Sequence, residues 1–173
     1  MKRTINAIVV AGLMILAALP LTAQGNPRGT ATLSLNGKSV SVEYGRPSLK
    51  GRSVDALLGK LKPGGVWRLG ADTSTTFMSE TDLSFGSVTV PKGTYSLWAR
   101  HDADGWKLVF NKQHGQWGTE HDAAQDLAAV PLKESKAAKP AEQVTINLGK
   151  AGAGGEVTIE WGDMKLAGDF TAK

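Results

Sequence analysis

The chain contains no cysteine. That absence excludes disulfide staples, thiolate metal sites, a thiol nucleophile and a lipid-modified N-terminal cysteine. Two tyrosines and four phenylalanines are few beside five tryptophans, so aromatic packing falls mostly on indoles. Charge of one sign is also lacking. Taking Lys2 and Arg3 away with the N-terminal segment leaves 18 of the 20 basic residues against 16 acidic ones, a net of +2, so the pI of 9.4 overstates the basicity. Lys and Arg form no cluster with aromatic residues between them, which argues against a nucleic-acid surface.

What is present starts with the short basic stretch Lys2-Arg3. An apolar run follows from Ile5 to Leu21, carrying Pro20 and ending in Leu21-Thr22-Ala23-Gln24-Gly25. The run is shorter than the roughly 20 residues a membrane helix needs, and small residues follow the helix-ending proline. It reads as a secretory signal peptide over 1–23, cleaved after Ala23 or Gly25. The expected location is therefore periplasmic or secreted, with no stable membrane insertion once the signal is removed. The remaining 24–173 is long enough for one domain with a substantial core.

From Thr30 onward apolar residues alternate with polar ones, the period of a half-buried strand. Ala31, Leu33 and Leu35 pass through Asn36-Gly37 to Val40, Val42 and Tyr44. Asn-Gly tolerates the two positive φ angles of a tight hairpin. Leu83-Phe85 with Val88-Val90, Tyr95-Ala99 with Trp106-Phe110, and Val144-Leu148 with Val157-Trp161 repeat the pattern. The glycine-rich run 149–155 is the last turn. It lacks the Gly-Lys-Ser/Thr ending and the following helix of a phosphate loop. Only Ser53 to Leu61 has helical spacing, with Ser53 as cap. The prediction is a single antiparallel β-sandwich of roughly eight to ten strands with one short helix. Residues 132–143, rich in Lys, Ala and Glu around Pro140, have no apolar stripe and read as a mobile loop.

The most distinctive block is Tyr44-Gly45-Arg46-Pro47-Ser48-Leu49-Lys50-Gly51-Arg52, followed by Val66-Trp67-Arg68-Leu69-Gly70-Ala71-Asp72 and Thr75-Thr76-Phe77. Gly93-Thr94-Tyr95-Ser96-Leu97, Trp106, Asn111-Lys112, Trp117-Gly118 and Asp126 come after it. This ordered set resembles the domain of unknown function family numbered 2911, secreted or periplasmic bacterial proteins. The resemblance spans roughly Leu33 to Trp161. It implies a β-sandwich and an exported location, and no established activity. Where the family usually continues Gly-Ala-Asn-Glu, this chain has Gly70-Ala71-Asp72-Thr73, so a role needing only an oxygen acceptor at position 72 survives the change.

Within that block Arg46, Arg52, Trp67, Arg68, Asp72 and Thr75 are the candidate binding residues. Arginine offers planar paired donors for carboxylates, phosphates and sugar hydroxyls, and a tryptophan face can hold a ring. The competing structural use pairs Arg68 with Asp72 and ties Arg46 and Arg52 to loop carbonyls. His101, His114 and His121 fall in segments read as loops without metal-ligand spacing, so no metal or cofactor is expected. Asp102-Ala103-Asp104-Gly105 lacks the later glutamate of a calcium loop and reads as a hairpin turn. No serine sits in Gly-x-Ser-x-Gly. Trp106 and Trp161 alternate with core aliphatics, Trp98 points the other way and is expected partly outside, and Trp117 is expected to plug one end of the sandwich beneath a loop. The leading functional expectation is a non-catalytic module binding a small molecule or glycan. A small hydrolase acting on envelope carbohydrate or peptide, with Asp72 or a histidine as base, is the first alternative. An envelope protein working through protein contacts is the second.

Overall fold

The computed structural model describes residues 25–173; the signal-peptide reading lies outside the described residues. Among the described residues eleven strands are present: β1 (Arg28–Leu35), β2 (Lys38–Gly45), β3 (Gly65–Trp67), β4 (Thr76–Ser79), β5 (Leu83–Phe85), β6 (Val88–Val90), β7 (Gly93–Asp102), β8 (Gly105–Asn111), β9 (Asp126–Pro131), β10 (Lys133–Ala151) and β11 (Gly154–Ala172). One helix, α1 (Val54–Leu58), is capped by Ser53, whose side chain accepts from the Ala56 N–H. A single 3-10 turn covers Ala123–Gln125. Among the described residues no helix is long and apolar enough to cross a membrane.

The hairpins expected from alternation all form, β1–β2, β5–β6, β7–β8 and β10–β11. Asn36 and Gly37 take φ of 51° and 76°, the left-handed pair that a two-residue hairpin requires. One sheet runs β1-β2-β4-β7-β8-β9, with β3 set beside β7 beyond the end of β4; the other runs β10-β11-β5-β6. Every pairing is antiparallel.

The two sheets close on a core of inward-facing side chains. Val40, Val42, Phe77, Leu97, Leu108 and Phe110 face Leu83, Ile146, Val157, Ile159, Leu166 and Phe170. Phe77, Phe110, Phe85 and Phe170 form a chain of rings with neighbouring centroids 5.2–5.4 Å apart. Each fully buried aliphatic or phenyl group contributes about 1.5–3 kcal/mol. The Tyr44 hydroxyl donates to the Ile146 carbonyl at 3.1 Å, spanning the sheets with a polar tie.

One expectation is overturned. Residues 132–143 are not a loop: β10 begins at Lys133 and pairs with β11 from Lys133↔Ala167 onward. The strand lies at the edge of its sheet and leaves most of its first half exposed, so backbone pairing alone defines it and no apolar stripe is needed. Pro140 falls within the register shift between Lys136 and Ala141, where a missing N–H costs nothing.

Candidate functional site

The distinctive block folds into a set of turns laid against β2 and β7. Gly45 and Gly70 allow it: a Cβ on Gly45 would collide with the Ala71 backbone, and one on Gly70 would lie 3.0 Å from the Gly45 carbonyl and from Thr75 Oγ1. Thr75 is buried, and its hydroxyl reaches the Arg68 and Leu69 carbonyls at 3.3 and 3.2 Å. Leu69 and Asp72 both take positive φ, 53° and 63°. Asp and Asn accept that conformation more readily than most residues.

Asp72 does not pair with Arg68. Its Oδ2 accepts from the Asn26 backbone N–H at 2.8 Å, and the Asn26 amide lies 3.3–3.4 Å from both carboxylate oxygens, so Asp72 pins the start of the domain. Only an acceptor is needed there, which either Asp or Asn supplies. Arg46 donates to the Val144 carbonyl at 3.2 Å and to Thr145 Oγ1 at 3.4 Å, clamping the β2 end to β10. Arg52 donates to the Leu49 and Ser48 carbonyls at 2.8 and 3.2 Å. Both arginines thus serve as loop ties. Trp67 is buried, stacked on Trp161 with centroids 5.5 Å apart and planes 8° from parallel, and edge-on to Trp106 at 6.4 Å.

Arg68 differs from the other five. Half-buried, it makes no hydrogen bond or ion pair through its guanidinium among the described residues. Its stem passes over Gly118, where a Cβ would stand 3.1 Å from Arg68 Cδ. Two hollows flank it. One, of about 310 Å³, is lined by Leu61, Val66, Trp98, Gly118, Thr119 and His121; the other, of about 250 Å³, by Pro47, Arg52, Leu57, Gly70 and Trp161. Trp67, Arg68 and Leu58 line both. A larger hollow of about 500 Å³ beside the Ala151–Gly154 turn has Asp169 as its one charged lining group and no cation or indole.

The outer wall of the first hollow comes from the segment between β8 and β9. Its backbone docks on residues 72–74 through Ser74 N–H to the Gln116 carbonyl at 2.9 Å and Gly118 N–H to the Asp72 carbonyl at 2.7 Å. Beneath it, Trp98 is only 2% exposed, which corrects its expected exposure. Alternation correctly turns Trp98 away from the sandwich core, and this segment then folds over it. The Trp98 indole donates to Ser96 Oγ at 3.0 Å, which also accepts from Gln116 at 3.2 Å. The His121 ring lies 4.8 Å from the Trp98 ring, and His121 Nε2 is 2.9 Å from Asp126 Oδ1. Buried Asn111 donates to the same Asp126 oxygen and to the Asp122 carbonyl, both at 2.8 Å. Trp117, expected to plug an end, is instead 52% exposed. The segment is held by its backbone and by Gln116, which leaves the Trp117 ring outside.

His101 lies in β7, not in a loop, with its ring 4.8 Å from Trp106, while His114 is exposed. Among the described residues no three His, Cys, Asp or Glu side chains converge to hold a metal ion. Nearby, Arg100 grips Asp102 with two bonds of 2.8 and 3.0 Å. That hydrogen bond holds the guanidinium above its usual range against the opposing effect of burial, with the charges of Asp102, Asp126 and Asp104 adding to it.

The family described as "Protein of unknown function (DUF2911)" matches residues 26–170, nearly the whole described domain. The chain belongs to this family. No curated protein and no solved structure matches it. Among the motif residues, Gly45, Gly70, Asp72 and Thr75 build the turns that carry Arg68, Ser96, Asn111, Gly118 and Asp126 build the wall opposite, and Tyr95, Leu97 and Trp106 go to the core. His121 was missed as a site residue because its partner Asp126 and its cover Trp98 are joined only by the fold.

Proposed function

We propose that this chain is an exported, non-catalytic ligand-binding module of the cell envelope, with its site in the groove astride Arg68. The carrying observation is Arg68, half-buried, its guanidinium unpaired among the described residues, and its side chain shared by two hollows with indole walls. Sites for small ligands join apolar and aromatic lining to a few placed polar groups, and this groove has that make-up. Arg46, Asp72 and Thr75 belong to the frame that holds Arg68 in place. Export rests on the basic start, the apolar run and Pro20. It predicts that the chain recovered from the periplasm or medium begins at Gln24 or Asn26.

The test is a thermal-shift screen of the mature chain against soluble glycans, cell-wall fragments and small anions, repeated with Arg68→Ala. A ligand at about a hundred times its dissociation constant adds roughly 2.7 kcal/mol to folding. The expected result is a raised melting temperature that Arg68→Ala abolishes while its own ligand-free melting stays near the parent's. A screen that leaves the parent unmoved, or a hit that survives Arg68→Ala, overturns the site.

A hydrolase reading has one observation in its favour: His121, oriented by Asp126, lines the same hollow as Arg68. This reading takes water activated by the imidazole as the attacking group. This reading predicts release of soluble fragments from envelope carbohydrate or peptide that His121→Ala stops, and it falls if the parent releases none.

A further inference from the structure

We infer that the 250 Å³ hollow between Arg52 and Arg68 is an anion subsite, taking a small organic carboxylate or phosphate monoester with an apolar body. The inference rests on the binding reading above and names the chemistry of its ligand.

Charge makes the first argument. Two arginines line this hollow and no Asp or Glu does. Arg52 spends its Nε and Nη2 on the carbonyls of Leu49 and Ser48, groups that hold it in position without neutralising it. Arg68 makes no bond from its guanidinium among the described residues. Two arginines without a carboxylate partner, Arg68 half-buried and Arg52 exposed, beside a partly enclosed apolar space favour an anion there, and planar guanidinium donors match carboxylate and phosphate oxygens.

A second argument is independent of charge. Trp161 also lines this hollow, is 5% exposed, and its Nε1 is the one buried side-chain polar atom without a hydrogen-bond partner among the described residues. A buried orphan donor is costly, and a ligand oxygen would relieve it. The nitrogen is out of solvent's reach, so an acceptor meets it only when a neighbouring side chain gives way. The lining includes Leu57 and Leu58, half-buried on a five-residue helix whose one fully buried residue is Val54. The remaining lining is apolar: Pro47, the two leucines and Trp67. A free inorganic ion would leave that surface unused, whereas an anion carrying a small ring or alkyl body would cover it.

The five tryptophan indole N–H groups provide the readout by nitrogen-15 NMR, with the Trp161 signal assigned by its loss in Trp161→Phe. Benzoate and phenyl phosphate are titrated as the two anion chemistries, with benzamide as the neutral control of similar shape. The expected outcome is a saturable shift of the Trp161 signal with at least one anion, little with benzamide, and about tenfold weaker binding in Arg52→Gln and in Arg68→Gln. Whichever anion binds more tightly identifies the ligand class. Benzamide binding as well as benzoate would show a merely apolar hollow and overturn the inference, as would a Trp161 signal unmoved by either anion. Should a glycan shift the Trp98 signal while anions leave Trp161 untouched, the groove stands and the anion subsite falls. If no compound moves either signal, both readings fail.

Discussion

Tyr95 points into the core from β7 and donates its hydroxyl to the Pro91 carbonyl at 2.8 Å. Burial, and after it the charge of Asp82, hold the phenol above its usual value of about 10. Because the folded value is the higher one, its contribution to stability is complete below about pH 10 and is lost as the pH rises through the folded value. Tyr95→Phe is expected to cost about 1 kcal/mol at neutral pH and to flatten the alkaline loss. Urea titrations at neutral pH and above pH 10, on parent and variant, check both parts. Arg46, Arg52, Asp72 and Thr75 also act as single residues, each bound to backbone groups at a place where the chain turns. The functional types picked out in the sequence are thus mostly ties, and Arg68 stands apart because the fold leaves its guanidinium without a partner.

β10 lies at the edge of its sheet, and its first half, mostly exposed, holds Lys133, Lys136, Lys139 and Pro140. Charged side chains and proline on an edge strand discourage pairing with another chain. Lys136→Val combined with Lys139→Val is expected to promote self-association while leaving the monomer folded, seen as a rise in mass by light scattering at increasing concentration. A variant whose mass matches the parent's at every concentration would assign the lysines no guarding role. The same stretch explains why a strand was mistaken for a loop. Hydrophobic alternation reports which face is buried, and an edge strand exposed on both faces has no such record in its sequence. The β8–β9 segment shows the converse failure. It has little regular structure and reads as loop, yet it forms one wall of the candidate site.

Trp67 and Trp106 come from one sheet and Trp161 from the other, so their stack joins the two layers beside the candidate site. Trp67→Ala removes the central ring of the three. It is expected to destabilise the domain by roughly 3–5 kcal/mol. The denaturation midpoint should fall while the slope with denaturant stays constant, because one core unfolds as one unit. A second transition would show instead that the sheets unfold separately. The site inherits its rigidity from this stack, since Trp67 directly precedes Arg68 in the chain and packs beneath both hollows.

Local chemistry was enough for the fold class and the four hairpins. Alternation marked their strands but not the exposed first half of β10, Asn36-Gly37 and the other turns marked the hairpins, Ser53 marked the helix cap, and the ordered motifs marked the family. Each of these signals acts over a few residues or over a fixed order, and both are readable along a chain. The candidate site depended on contacts between distant segments: Asp72 with Asn26, Arg68 across Gly118, His121 between Trp98 and Asp126, and Arg52 and Arg68 lining one hollow with Trp161. Whether an arginine is a tie or a free cation, and whether a tryptophan is covered, depends on what the rest of the chain brings within about 3–4 Å of it. Those distances are set only when the sheets close on each other and the loops dock.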